Sequence, residues 1–308
     1  MRRAYNSFAR LGEGVFRFSG AAASSGPRVV VAGGVHGNER IGVEVLDRLR
    51  LALLGASPLA AVGNALPLVS RGDLTLVYGN PRAIRGERAS YEEQRAKELA
   101  PVLARADLLL DIHSTNKPSE PRLPCDIVLH DPRHLIGDGH VALTDEFVGA
   151  HGGLGVCFES GLASDLSTDK IDAITRGVVE ILTTDMQAID LVDAHGQTTA
   201  VGTPAEPALT GRRVFEITQL FKLTERGFRW ADGVGETNFQ HVAANEPIGF
   251  VGADEPFAVP YDAHIVFPKV AALWKLGAYV IWCLADLVGC VGASIISDSI
   301  AATSSEKH

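Results

Sequence analysis

Between residues 28 and 186 the chain alternates β-branched apolar runs with amphipathic segments, and this alternation narrows its possible folds more than any other feature. "RVVVAGGV" (28–35) precedes "RIGVEVLDRLRLAL" (40–53), whose apolar residues recur at helical spacing. "DLTLVYGN" (73–80) precedes a polar turn and "SYEEQRAKELAPVLAR" (90–105), with its apolar stripe at Leu99, Val102 and Leu103. "ADLLLDIHST" (106–115) and "LGVCFESG" (154–161) read as two more buried strands. "STDKIDAITRGVVEILTTDM" (167–186) opens on a Ser/Thr cap and reads as a helix. Strands that take turns with helices in this way build an α/β fold, here with a mixed, largely parallel sheet flanked by helices.

Past residue 190 the texture changes. "DAHGQTTAVGTPAEPALTGR" is a Gly/Pro/Thr-rich connector, followed by the short β-type runs "RVFEITQLFKL", "NEPIGFVG", "AHIVFP" and "AYVIWCL". These predict a small, mostly antiparallel C-terminal β domain. The expected division is 1–190 for the α/β domain, 191–285 for the β-rich domain and 286–308 for a C-terminal tail. The apolar stretch 276–296 is long enough for a membrane span, but Asp286 lies in its middle and a mid-bilayer aspartate is costly. Buried strands, or a strand and a packed helix, account for it better.

In open α/β sheets, ligands bind beyond the carboxyl ends of the strands. Strand 28–35 exits into His36 and Glu39, and strand 73–79 into Asn80, Pro81 and Arg82. Strand 106–112 exits into His113, Ser114 and Thr115, and strand 154–158 into Glu159 and Ser160. A catalytic zinc takes three protein ligands from His and carboxylate and leaves a position open. His36, Glu39 and His113 make such a set, with Glu159 left as general base. Asp111 shares a strand face with His113 and is a candidate partner behind it. Taken singly, each residue has a plainer reading. His36 and Glu39 can be solvated turn residues, His113 a hydrogen-bonded core histidine, Glu159 a surface carboxylate, and Asn80-Pro81 a turn.

The formal net charge of −9 leaves no basic excess to neutralise phosphates, so nucleic acid is not an expected partner. The four cysteines (Cys125, Cys157, Cys283, Cys290) show no C-x-x-C spacing and suggest neither a disulfide framework nor a thiolate zinc site. They read as buried thiols, in keeping with a reducing compartment. The first residues, "MRRAYNSFARLGEG", lack the apolar core of a secretory signal, so the cytoplasm is the default location. Periodicity does not separate an oligomer interface from core, so a homo-oligomer stays open.

"GGVHGNERIG", "GNPRAI", "YEEQRAKEL", "LLLDIHST" and "VCFESG" together resemble the succinylglutamate desuccinylase/aspartoacylase family, a branch of the zinc-carboxypeptidase-like hydrolases. The match runs from about residue 28 to 182, and "EPIGFVGADEPFAVPYDAHIVFPK" resembles the family's C-terminal β domain less specifically. The resemblance implies one zinc ion per chain on His36, Glu39 and His113, with Glu159 as the catalytic glutamate. It implies hydrolysis of the amide of a small N-acyl amino acid, with Gly37 and Asn38 turning the loop tightly around the metal. A carboxypeptidase-like peptidase is the second enzymatic reading.

The sequence also departs from the family. Between "NPRAI" and "YEEQRAKEL" relatives carry an Asp-Leu-Asn-Arg-x-Phe-like segment whose Asn and Arg hold the substrate carboxylate; here only "RGERAS" (85–90) bridges the gap. Arg82, Arg85 or Arg88 can replace that clamp from a shorter loop, with Arg88 nearest the missing segment; Asn80, Arg82 and Arg88 are the expected substrate contacts. Otherwise the chain is a metal-binding member with weak or lost catalysis.

Overall fold

The structure, a computed structural model, describes residues 5–20, 26–55, 72–81, 92–115, 127–182, 212–221, 227–252, 254–269 and 282–291. Arg82, Arg85, Arg88, Cys125 and residues 193–211 of the connector lie outside the described residues.

A six-stranded sheet forms the first layer. Its strands are β1 (Ser7–Gly12), β2 (Val15–Ser19), β3 (Arg28–Gly33), β4 (Asp73–Tyr78), β5 (Leu108–Thr115) and β7 (Leu154–Leu162), in the order β1-β2-β4-β3-β5-β7. β4, β3, β5 and β7 run parallel, while the β1–β2 hairpin adds antiparallel strands at one edge. The sheet is mixed and largely parallel, as the strand–helix alternation predicts. The hairpin is an addition; its "VFRFS" strand buries Phe18 in one core and Val15 in the other and turns on Gly14, which sits at φ 63°.

Four helices among the described residues flank this sheet: α1 (Arg40–Leu53), α2 (Glu92–Leu103), α3 (Thr144–Ala150) and α4 (Thr168–Glu180). Alternate β5 residues explain the two layers. Leu108, Leu110 and Ile112 pack in one core with Leu46 and Leu49 of α1 and Ile174 and Val178 of α4. Leu109 packs in the other, with Leu99 and Leu103 of α2 and Val148 of α3. An Arg48–Asp172 ion pair ties α1 to α4.

Two smaller sheets follow. One contains β6 (Ile127–His130), β8 (Arg212–Phe221), β10 (Gln240–Val242), β13 (Ala263–Val266) and β14 (Trp282–Val291), ordered β10-β13-β14-β8-β6. The other orders β12 (Glu255–Phe257), β11 (Gly249–Val251) and β9 (Arg229–Trp230). All their pairings are antiparallel except β6 with β8. The residues between β5 and α3 thus contribute to the second sheet, and Ile127, Leu129, Leu135 and Ile136 pack onto Phe215, Ile217 and Val266. The boundary expected at 286 falls inside β14, because that strand pairs with β8 from Trp282 through Val291. Within 276–296, residues 282–291 are therefore strand, and no helix among the described residues is long and apolar enough to cross a membrane.

Candidate metal centre

The centre is assembled where β3, β5 and β7 lie side by side. β3 ends at Gly33, and α1 crosses it there so closely that a Cβ on Gly33 would lie 2.6 Å from the carbonyl carbon of Gly42. A Cβ on Gly42 would in turn lie 2.6 Å from the Ile112 carbonyl oxygen. These two glycines let the start of the helix sit directly on the sheet, which brings the segment 36–39 over the end of β5. That segment closes as a turn, with the Glu39 N–H donating to the His36 carbonyl at 3.0 Å. Glu39 then stands immediately before the first residue of α1.

His36, Glu39 and His113 converge. His36 Nδ1 lies 3.0 Å from Glu39 Oε1, and His113 Nδ1 lies 3.1 Å from Glu39 Oε2. The Ser114 N–H donates to the same Oε2 at 3.2 Å, fixing the carboxylate between the rings. One ligand atom from each of the three residues lies within 4.8 Å of the others. His36 is 63% exposed while Glu39 and His113 are 10%, so the cluster is buried on two sides and open at His36.

His113 and Glu159 do not lie beyond their strand exits but inside the ladder. β5 and β7 pair in parallel register, with Asp111 opposite Cys157 and His113 opposite Glu159, before a shift to Thr115 opposite Leu162. The two-residue pleat puts Asp111, His113, Cys157 and Glu159 on one face as a two-by-two block. Asp111 Oδ2 lies 3.0 Å from His113 Nε2 and accepts a hydrogen bond from Thr144 Oγ1 at 2.5 Å. Asp111 is fully buried, so it acts as a fixed carboxylate behind the imidazole and turns Nδ1 towards Glu39.

Thr144 gave no signal in the sequence. It is delivered by α3, whose start is set by Glu146 accepting from the Ala142 and Leu143 N–H groups at 2.9 and 3.1 Å. The helix approaches β7 at Gly155, where a Cβ would lie 2.2 Å from the Asp145 carbonyl oxygen. In the sequence Ser160 stands out only as the neighbour of Glu159. Its buried hydroxyl donates to the His113 carbonyl at 2.6 Å and locks the two strands at the height of the site.

The electrostatics suit a cation. Burial works against the Glu39 carboxylate, but hydrogen bonds from His113 and His36 prevail and hold its pKa at about 2. The hydrogen bond to Glu39 raises the His36 imidazole against its burial. Burial likewise opposes charge on His113, yet Asp111, Cys157 and Glu39 together raise its pKa far above the usual histidine range. Glu39 is thus held as the anion that a cation needs, and each imidazole has a carboxylate against a ring nitrogen. Glu159 behaves oppositely, its carboxyl pushed up to about 7, mainly by burial. Its Oε2 is buried with no hydrogen-bond partner among the described residues. Two imidazoles, a carboxylate, a second carboxylate behind one ring and an unpaired carboxylate oxygen alongside fit a divalent cation of the zinc type.

Asn80 follows β4, is buried, and donates its backbone N–H to the Gly34 carbonyl at 2.8 Å. The other expected substrate contacts, Arg82 and Arg88, fall outside the described residues. Arg95 of α2 braces the same corner, donating from Nε to the Gly79 carbonyl at 2.8 Å and from Nη2 to the Tyr78 and Glu13 carbonyls at 2.9 and 2.7 Å.

No protein-family model matches the chain, and no curated protein sequence matches it. Solved structures do. Succinylglutamate desuccinylase from Vibrio parahaemolyticus aligns with a TM-score of 0.59 at 13% identity, over 91% of this chain and 90% of that one. Succinylglutamate desuccinylase from Chromobacterium violaceum aligns with a TM-score of 0.58 at 17% identity, over 94% and 92%. Murine aminoacylase 3 aligns with a TM-score of 0.53 at 15% identity, over 87% and 96%. Across about nine-tenths of its length, the chain has the fold of the succinylglutamate desuccinylases and of aminoacylase 3.

Proposed function

We propose that the protein is a zinc-dependent amidohydrolase that deacylates a small N-acyl amino acid. The observation that carries this reading is the in-register pair His113–Glu159, which sets an unpaired, buried carboxylate oxygen beside the His36–Glu39–His113 cluster. The names of the structural neighbours, desuccinylases and an aminoacylase, support the choice of an acylated amino acid over a peptide.

His36, Glu39 and His113 would hold the ion. When bound there, zinc polarises an acyl carbonyl and acidifies water. Glu159 takes a proton from the attacking water and passes it to the departing amine nitrogen, so that amide and water become carboxylate and free amine. Burial on strand β7 lifts the Glu159 carboxyl to about 7 in the metal-free site, which favours its holding a proton there. Asp111 keeps His113 in the tautomer that offers Nδ1, and Thr144 holds Asp111 in turn. We assign the substrate's carboxylate to Asn80 and to Arg82 and Arg88, which follow it in the chain.

The test is a panel of N-acyl amino acids, N-succinyl and N-acetyl forms included, offered to zinc-loaded and to chelator-stripped protein. Hydrolysis of at least one member by the loaded form alone is expected. A protein that binds zinc stoichiometrically yet hydrolyses no member would favour a metal-binding role without catalysis.

A further inference from the structure

Cys157 belongs to a second ligand set that overlaps the first. One ligand atom from each of His113, Cys157 and Glu159 lies within 4.8 Å of the others. The block of four side chains explains why: Cys157 stands opposite Asp111 and Glu159 opposite His113, on one face of the sheet. Cys157 is a free thiol and only partly buried. A second observation points to a ligand here, because Glu159 Oε2 is buried without a partner among the described residues. The first set offers nitrogen and oxygen donors, whereas this one adds sulfur, and thiolate sulfur selects soft metal ions.

We propose that Cys157, His113 and Glu159 form an inhibitory site for a soft divalent cation such as cadmium. On binding, a metal–sulfur bond forms, the S–H bond breaks and the proton leaves to solvent. A neutral imidazole has one lone pair to give, so His113 serves one set at a time. An ion held by Cys157 therefore takes a ligand from the first set and occupies the carboxylate of Glu159. The binding half of this proposal stands on the geometry alone. The inhibitory half rests on the reading of Glu159 as base.

The experiment titrates cadmium chloride into the full chain after metal removal and follows the ultraviolet charge-transfer band of a cadmium–thiolate bond. Wild type is expected to develop a saturable band, and His36→Ala to keep it, since His36 belongs only to the first set. Cys157→Ser is expected to lose it, and Glu159→Gln to shift its midpoint to at least about 10-fold higher cadmium, the lower bound for losing a supporting partner of a metal site. A band that survives in Cys157→Ser, or that disappears in His36→Ala, overturns the proposal. Turnover is then measured in zinc-loaded protein with added cadmium. Slowing of wild type but not of Cys157→Ser supports the inhibitory half, and equal slowing of both refutes it. Absence of hydrolysis with the band intact contradicts the proposed function and leaves the cation site standing.

Discussion

Replacing Glu159 by Gln should stabilise the metal-free protein at neutral and alkaline pH. The folded chain holds this carboxyl at about 7, against 4.5 for the free group, with burial the largest cause. A carboxyl whose folded pKa lies above its unfolded one binds more protons in the folded state between those values. Stability therefore falls as pH rises from about 4.5 to about 7, and the penalty is complete above that window. At about 1.36 kcal/mol per pH unit, the displacement amounts to about 3 kcal/mol. Glutamine approximates the protonated acid and escapes the penalty. Urea denaturation of metal-free wild type and Glu159→Gln at pH 4 and pH 8 reads the difference directly, with unchanged m values confirming that stability alone has moved. The two proteins should differ little at pH 4, and the variant should be the more stable by about 3 kcal/mol at pH 8. An identical difference at both pH values would refute the claim that burial raises the Glu159 carboxyl.

Other substitutions probe the supports. Asp111→Asn should weaken zinc binding by about 10–100-fold, because the carboxylate 3.0 Å from His113 Nε2 is lost; chelator competition measures this. Gly42→Ala should cost about 1–3 kcal/mol in unfolding free energy, since its Cβ would meet backbone at Ile112 and Gly33. Arg95→Met should cost about 3 kcal/mol by thermal or urea melting, since it strips donors from the Gly79, Tyr78 and Glu13 carbonyls.

Which features the sequence made legible follows from how local each one is. His36 and Glu39 are visible because the turn that pairs them is local, four residues wide and bounded by a strand and an amphipathic helix. Their meeting with His113 followed from strand order, since parallel strands in one sheet expose their ends on one side. The face shared by Asp111 and His113 was readable from the two-residue pleat. The register was not: that His113 faces Glu159 and Asp111 faces Cys157 depends on how β5 and β7 slide past each other. For the same reason both residues were expected beyond their strands, whereas the ladder continues past them. Thr144 reaches the site from a helix whose docking is fixed by the close contact of Gly155 with Asp145, which no periodicity reveals. The edge strand that β6 lends to the second sheet has no local signal, because its partner lies 86 positions downstream, Ile127 with Arg213.

On the proposed reading, His36, Glu39 and His113 hold the ion while Glu159 moves the proton. Zinc content and hydrolysis of an accepted N-acyl amino acid, measured on the same samples of wild type and Glu159→Gln, test it most directly. Full zinc is expected in both, with turnover of the variant reduced by about 100-fold or more. A zinc-loaded Glu159→Gln that turns over at the wild-type rate would contradict it.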